Sequence, residues 1–427
     1  MNDEVYYGRC AGIDVHKKRL VVCMRIGRKT ETRTFGTLTS ELRELVAWLK
    51  SSGCQMVAME SSGSYWKPLC NIFEQENLPM MVCNAYHIKN VPGRKTDVKD
   101  AQWIAKCLSQ GLLNPSFIPN REQRELRDMT RFRKSQVEER ARNVNRLQKF
   151  LEGANIKLSS WVSDIDGKSA TRLLELVIGK HDFSVSDVAE CMHKSIKATA
   201  DELFLSLEGC MTPTQREFFK HVMNVIRRQT EEIELTDAMI SRLLSDNYQR
   251  AVKALDVIPG IARVSAEQII AEVGTDMGRF KTPQRLCKWA GVCPGNNESA
   301  GKRKSGKTPK GNKTLKTTLT QSAQAAKNKK DSYFHAQYNR LVSHTGKNRA
   351  TMAVAHSLLI AVFMVLSGRE YKDLGADYYM TFNREKKINS HVKQLSRLGV
   401  NIPEDVLLSA IRSATAKPPD LRGAIIA

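Results

Sequence analysis

The stretch Val91-Pro-Gly-Arg-Lys-Thr-Asp-Val-Lys-Asp-Ala-Gln-Trp-Ile-Ala105 is the pattern around which the N-terminal part of the chain is organised. Pro92-Gly93 predicts a turn, and Thr96 predicts the N-cap of a helix. Asp97 and Asp100 are three residues apart, so their carboxylates share one helix face and repel each other unless a cation lies between them. The alternative is a solvated first turn, where acids suit the helix dipole. Apolar residues at helical spacing continue the helix: Val98, Ala101, Ala105 and Leu108.

Two further acids lie on predicted strands upstream of this helix. Ala11-Gly-Ile-Asp-Val15 predicts a strand that carries Asp14, and Met56-Val-Ala-Met-Glu60 predicts a strand that ends on Glu60. Three antiparallel strands come first, then a helix capped by Ser40, then strands that alternate with helices. This order predicts a mixed α/β domain.

The four acids together indicate a metal site. Mg²⁺ prefers carboxylate oxygens, and two such ions about 4 Å apart can clamp a phosphodiester displacement. The order strand-Asp, strand-Glu, helix-Asp-x-x-Asp predicts an RNase H-like fold. The predicted catalytic metal ligands are Asp14, Glu60, Asp97 and Asp100.

The composition favours a nucleic-acid partner. Lys and Arg number 67 against 45 Asp and Glu, so the formal net charge is +22 over 427 residues. This charge favours a polyanion, either nucleic acid or an anionic membrane surface. We predict no membrane segment, because no apolar run approaches the length of a span and the N-terminus does not resemble a signal peptide. The ten cysteines form no C-x-x-C pair and predict buried thiols in a reducing cytoplasm.

Two long helical arms are predicted in the middle of the chain. Residues 121–156 have apolar positions at helical spacing, with ten basic and five acidic residues between 121 and 150. Val137, Val144 and Leu151 recur every seven residues, which favours a coiled coil as a dimer seam or a domain bridge. An ordinary amphipathic helix is the alternative. A second arm over 212–247 could pair antiparallel with the first, its apolar face containing Phe218, Val222, Ile226, Ile233, Ile240 and Leu244.

A Pro-Gly turn opens the C-terminal part. Ile258-Pro-Gly-Ile261, followed by an Ala/Ile-rich helix, resembles half of a helix-hairpin-helix element. In that element, backbone N–H groups of the turn around Gly260 meet a DNA phosphate. A plain interhelical turn is the alternative.

A basic loop follows. Residues 299–316 contain seven Lys or Arg and no acid, and they offer almost nothing to bury. A disordered linker is one interpretation. Helical patterns follow the loop, which favours a phosphate-handling site inside a folded domain. Its predicted nucleic-acid-binding residues are Lys302, Arg303, Lys304, Lys307 and Lys310. The tail after Asp377 is predicted to be irregular and peripheral.

The quoted motifs also resemble a known family. The chain is similar, over about residues 10–380, to the DEDD transposases of insertion-sequence family one-hundred-ten. The segments that carry the resemblance are Gly12-Ile-Asp-Val-His-Lys17, Ala58-Met-Glu-Ser-Ser-Gly-Ser-Tyr-Trp66, Pro92-Gly-Arg-Lys-Thr-Asp-Val-Lys-Asp-Ala101, Ile258-Pro-Gly260 and Glu298-Ser-Ala-Gly-Lys…Lys310-Gly-Asn312.

The resemblance implies more than the residues show by themselves. It implies a RuvC-like nuclease domain that uses Mg²⁺, a coiled-coil region, and a transposase domain with a serine nucleophile. It also implies a bridging guide RNA that pairs with donor and target DNA. The family's Ser-Gly serine falls on Ser299-Ala-Gly301 or on Ser305-Gly306, and we favour Ser299 for its spacing to Gly311-Asn312. We expect a cytoplasmic, nucleoid-associated bacterial protein that forms a homodimer or a higher homo-oligomer.

The patterns together with the resemblance imply four regions: a RuvC-like domain over 8–118, a helical or coiled-coil region over 119–250, a transposase domain over 251–380 and a tail over 381–427. Two rival functions stay open. One is a RuvC-type junction resolvase or nuclease that hydrolyses DNA without a covalent intermediate. The other is a basic nucleic-acid-binding protein without catalysis.

Overall fold

The structure is a computed structural model. It describes residues 6–61, 63–91, 100–180, 182–194, 196–295, 297–299, 302–381 and 384–400, together with residues 403 and 406. A boundary after Arg121 divides the chain into two compact units. Each unit has its own core, so each is described by itself.

The first unit is an α/β domain. In chain order its elements are β1 (Arg9–Val15), β2 (Leu20–Ile26), β3 (Lys29–Phe35), α1 (Thr39–Ser51), β4 (Met56–Glu60), α2 (Trp66–Gln75), β5 (Met80–Cys83), α3 (Ala85–Lys89) and α4 (Asp100–Ser109). The strands form one sheet in the order β3-β2-β1-β4-β5. β1, β2 and β3 pair antiparallel, whereas β4 joins β1 and β5 joins β4 in parallel. The predicted mixed α/β domain is therefore confirmed.

Side chains along β1 point alternately to the two faces of this sheet. One face of β1 presents Ala11, Ile13 and Val15 to a core shared with α1 and α2. The other face presents Cys10 and Gly12 towards α4. Helices thus cover both faces of β1, because successive side chains of a strand point to opposite faces, whereas β3 is almost wholly exposed.

The first helix starts earlier than predicted. Ser40 lies inside α1, and Leu38 is the N-cap residue. The Glu41 carboxylate accepts the Leu38 backbone N–H at 2.8 Å, so this acid satisfies the helix terminus in place of a serine hydroxyl.

The second unit begins with the long arm α5 (Arg121–Gly153), which pairs with α9 (Pro213–Leu243). Side-chain bonds join the arms with opposite chain directions: Gln136 with Thr236, Arg140 with Thr230 and Asn143 with Gln229. Three short helices lie between them in sequence: α6 (Lys168–Gly179), α7 (Val185–Cys191) and α8 (Ala200–Leu207).

The apolar positions of the arms are divided between core and surface. Val137 is 48% exposed, whereas Val144 packs against a core formed by α6–α8 and the ends of both arms. Phe218 was expected to face inward but is 45% exposed, and its neighbour Phe219 is buried instead. The ends of both arms share a core with these short helices, and burial along the arms does not follow a strict repeat of seven.

The remaining elements are mainly helical, as predicted. They are α10 (Asp246–Asp256), α11 (Arg263–Val273), α12 (Pro283–Ala290), β6 (Asn297–Ser299), β7 (Lys302–Ser305), α13 (Lys313–Ala326), α14 (Tyr333–Thr345), α15 (Lys347–Leu366), α16 (Tyr378–Thr381) and α17 (Arg384–Arg397). Two expectations are wrong here. The basic stretch contains a two-stranded hairpin, β6–β7, and the tail after Asp377 contains α17.

Helix α15 forms the centre of the C-terminal core. Val354, Leu358 and Val362 are fully buried, as their spacing predicts. Contrary to the prediction, α15 is long and apolar enough to cross a membrane by length and composition alone. Its apolar window is 61% buried inside the fold, so a core helix explains the same composition.

All ten cysteines are free thiols. Six of them are buried, as predicted, whereas Cys54, Cys191 and Cys293 are partly exposed and Cys210 is exposed, so the prediction of burial is wrong for these four. Burial raises the pKa of the Cys10 thiol to about 12 and that of Cys83 to about 11. Such thiols stay protonated near neutral pH and act as apolar core groups.

Candidate active site

Asp14 and Glu60 lie at matching positions on neighbouring strands. The parallel register pairs Gly12 with Ala58 and Ile13 with Met59, so the next positions are Asp14 and Glu60. Both acids have the strand parity of Gly12 and Ala58, and Ala58 packs in the core beneath α4. The two carboxylates therefore leave the same face of the sheet at the same end of the strands.

Glycine 12 brings the start of α4 to this end. A Cβ on Gly12 would lie closer than 3.0 Å to the carbonyl oxygen of Ala101 and to the amide nitrogen of Ala105. One step back along β1, the Cys10 thiol donates to the Ala105 carbonyl at 3.6 Å. Helix α4 thus runs opposite to β1, and its first residue, Asp100, comes to the strand end that carries Asp14.

The carboxylates do not form a complete ligand set among the described residues. No group of three or more His, Cys, Asp or Glu side chains in that part of the chain is arranged to hold a metal ion. Asp14 Oδ2 instead lies 3.0 Å from His16 Nε2, a neighbour whose role the sequence did not indicate. Asp97, the fourth predicted ligand, lies outside the described residues, as does Thr96.

The second unit holds the basic loop, whose ends are joined by backbone contacts. A Cβ on Gly311 would lie about 2.5 Å from the backbone of Gly291, and a Cβ on Gly295 would overlap the carbonyl oxygen of Lys307. Within the loop, β6 and β7 pair Ser299 with Lys302 and Asn297 with Ser305. Ser299 therefore lies beside the hairpin turn, whereas Ser305 lies at the open end.

The structure describes the side chains of only some residues of the predicted serine site. Ser305 Oγ accepts the Lys307 backbone N–H at 3.2 Å. Lys307 and Lys310 are exposed. The side chains of Ser299 and of Lys302, Arg303 and Lys304 lie outside the described residues.

The Pro-Gly turn joins α10 to α11, as predicted. Gly260 has φ +82°, and a Cβ there would overlap the backbone of α13 at the Ser322 carbonyl oxygen. The close approach of α13 is thus one physical reason for glycine at this position. Contact of Gly260 with nucleic acid stays a prediction.

Comparisons with known proteins agree with these two separate regions. A family model described as "Transposase" matches residues 11–156, and a model described as "Transposase IS116/IS110/IS902 family" matches residues 252–339. The chain belongs to this transposase family. The first match contains the four predicted acids, and the second contains the basic loop, as the motif resemblance predicted.

Two curated relatives carry names of the same kind. A "Probable family 20 transposase" of Pseudomonas aeruginosa is 26% identical over 318 residues, which cover 74% of this transposase and 79% of the relative. A second protein named as a transposase, from Sinorhizobium fredii, is 22% identical over 320 residues, with coverage of 73% and 70%.

A buried ion cluster lies beside the end of the basic loop, and the sequence did not predict it. The side chain of Glu272 on α11 is fully buried, and Arg131 on α5 binds both of its carboxylate oxygens, at 2.7 and 2.9 Å. Asn312, at the end of the basic loop, donates to Glu272 Oε2 at 2.6 Å. No sequence signal singles out Glu272, because α11 carries other polar residues as well, among them Arg263 and Glu267.

A second buried cluster lies one turn earlier on α11. Glu267 is 2% exposed and accepts from Arg133 at 3.1 Å and from Arg263 at 2.8 Å. Asp237 on α9 also accepts from Arg133, at 2.7 Å. Buried carboxylates need such partners because an unpaired charge is costly away from water. The two clusters tie α5 and α9 to the C-terminal core.

Proposed function

We propose that the protein is a DNA transposase or recombinase of a bacterial insertion sequence, with a RuvC-like nuclease part and a serine-bearing part. The main observation that supports this proposal is the placement of three acids that match the family's motifs, Asp14, Glu60 and Asp100, at one end of a mixed five-stranded sheet. Three antiparallel strands followed by two parallel ones support an RNase H-like assignment.

We propose Asp14, Glu60, Asp97 and Asp100 as the residues that would hold Mg²⁺. Hard carboxylate oxygens fit this ion, and the shared strand end supports the grouping. When bound, the ion supplies positive charge that polarises a phosphate and lowers the pKa of a hydroxyl. The protein's own contribution is the placement of Asp14, Glu60 and Asp100, supported by the register of β1 with β4 and by the approach of α4 to Gly12.

We propose Ser299 as the nucleophile, with Ser305 as the alternative. The serine Oγ–P bond forms while the bond from phosphorus to the DNA leaving oxygen breaks, and that oxygen takes up a proton as the serine loses one. The phosphoserine ester keeps the free energy of the phosphodiester, so a free DNA hydroxyl can reverse the step. Lys302, Arg303, Lys304, Lys307 and Lys310 would neutralise the developing charge.

The remaining partners are part of the same proposal. Donor and target DNA are the substrates, with Gly260 as one backbone contact, and the net charge of +22 supports polyanion binding. A bridging guide RNA, a homo-oligomeric assembly and a cytoplasmic, nucleoid-associated location follow from the family resemblance. Sequencing of RNA that co-purifies with the protein tests the guide, and a preparation that is active yet free of RNA would refute it.

A labelled DNA substrate tests the chemistry. With Mg²⁺ present, a denaturing gel is expected to show a protein–DNA adduct for the wild type and none for Ser299→Ala or Asp14→Ala. An adduct that survives Ser299→Ala but is lost in Ser305→Ala moves the role to Ser305. Cleavage without any adduct favours the resolvase alternative, and binding without cleavage favours the non-catalytic one.

A further inference from the structure

The carboxylate of Glu272 is fixed by cations from a distant part of the chain. Arg131 holds both carboxylate oxygens, and Arg127 Nε lies 3.3 Å from Oε2. Arg127 also donates to the Glu272 backbone carbonyl at 2.7 Å. Since the Glu272 side chain is fully buried, rotation would leave its charge unpaired. The carboxylate therefore has one orientation, set by α5.

The side-chain amide of Asn312 makes two hydrogen bonds, one to Glu272 and one to the start of α13. Its Nδ2 donates to Glu272 Oε2 at 2.6 Å. Its Oδ1 accepts the Leu315 backbone N–H at 3.1 Å, which caps α13. The side chain thus joins two helices at the residue where the basic loop ends.

Two further contacts hold the end of the basic loop next to Asn312. Gly311, its neighbour, lies against the backbone of Gly291 at the end of α12. Lys316 on the first turn of α13 donates to Thr308 inside the loop. A shift of Asn312 would therefore displace the end of the loop, because Gly311 has no free space against the backbone of Gly291.

We propose that Glu272 and Asn312 are positioning residues that set the orientation of the basic loop from the helical arm α5. The arm residue Arg131 orients Glu272, Glu272 orients Asn312, and Asn312 holds the loop that carries the serines. This inference rests on the proposed function of the loop, but its structural part can be tested without any reaction.

The test separates positioning from helix capping. Asn312→Asp keeps an oxygen that caps α13, since Asp is as good an N-cap as Asn, but it replaces the donor to Glu272 with a like charge. Glu272→Gln in the same chain supplies an amide donor to the new carboxylate at position 312 and returns the net charge of the cluster to its original value. The Arg127 and Arg131 donors beside Oε2 then have that carboxylate as their acceptor. Asn143→Asp is the matched control, because it removes an amide donor to Gln229 in the arms, at 3.0 Å.

Hydrogen exchange of the loop base, residues 305–313, is the first readout. We expect faster exchange there in Asn312→Asp, unchanged exchange in Asn143→Asp and recovery in the double variant. The second readout is the rate of adduct formation, expected to fall about 100-fold in Asn312→Asp and to recover in the double variant, since small displacements of a reacting group have effects of that size. DNA binding is expected to stay constant.

Two results would overturn the inference. One is wild-type exchange in Asn312→Asp, and the other is a loss that the double variant leaves unrepaired. Absence of an adduct in the wild type would refute the proposed serine chemistry instead, while the exchange result would still decide whether Glu272 positions the loop.

Discussion

Gly12 on β1 and Ala101 on α4 are in direct backbone contact, and a side chain at Gly12 would fill the position of the Ala101 carbonyl oxygen. This contact connects the strand that carries Asp14 to the helix that starts at Asp100. The spacing of the two acids therefore depends on a residue that has no chemistry of its own.

The first prediction concerns this contact. Gly12→Ala forces α4 away from the sheet, and overpacking of this kind costs about 1–3 kcal/mol of unfolding free energy. We expect a lower thermal midpoint in calorimetry and a loss of DNA cleavage. Gly8→Ala is the control, because a Cβ there meets only Gln55 Oε1, at 4.0 Å. Equal midpoints and equal cleavage in the two variants would contradict the argument.

The second prediction treats the four acids as one unit. Replacement of Asp14, Glu60, Asp97 or Asp100 by Ala should each reduce cleavage to background, because groups that act together are not additive. Binding to DNA, measured by fluorescence anisotropy, should remain, and EDTA should reproduce the loss in the wild type. An Asp100→Ala protein that cleaves normally would remove Asp100 from the site.

The third prediction concerns assembly through the arms. The sequence predicts that charges at Val137 and Val144 weaken a dimer seam. In the structure Val144 packs in the helical core, whereas Val137 is 48% exposed. We therefore expect Val144→Glu to lower the thermal midpoint and Val137→Glu to leave it unchanged. If α5 forms the seam, light scattering should show a smaller particle for Val137→Glu, and an unchanged mass would count against the seam.

A fourth prediction compares two ion pairs. Glu267→Ala removes a buried partner of Arg133, and breaking such a pair costs about 3–5 kcal/mol. We expect the lower end of that range, because Asp237 still accepts from Arg133 at 2.7 Å. Glu175→Ala breaks an exposed pair with Arg227 and should cost about 0–1 kcal/mol. Urea unfolding measures both, and similar losses would disprove the difference.

The fifth prediction is a pH dependence. Burial raises the thiol pKa of Cys10 and Cys287 from 9.0 to about 12, and that of Cys54 and Cys83 to about 11. Between pH 9 and these values the unfolded chain loses protons that the folded chain keeps, so stability should fall as pH rises.

Chemical denaturation at pH 8 and pH 10 measures this effect. Replacement of Cys10 and Cys287 by Ala should reduce the loss between the two pH values, whereas replacement of the exposed Cys210 should leave it unchanged. A stability that stays constant from pH 8 to pH 10 would contradict the assignment.

Local patterns in the sequence predicted most of the secondary structure and the family. Alternation marked β1, a short apolar run that ends on Glu60 marked β4, and helical spacing marked both arms and α15. Periodicity failed where packing is not regular. Phe219 rather than Phe218 is buried, at the end of the arm that shares a core with the short helices α6–α8. The hairpin β6–β7 has no apolar alternation, so nothing local indicated it.

The sequence by itself determined which residues are candidates for the proposed chemistry: carboxylates on strands and a helix, and serines in a basic loop. Only the tertiary structure decided how the surroundings hold them. Glu272 bonds to Arg131, 141 positions away, and to Asn312, 40 positions away. Gly12 meets Ala101 across the sheet face. A periodic pattern reports which side of one element is apolar, whereas these contacts depend on which elements meet, and packing of the whole unit decides that.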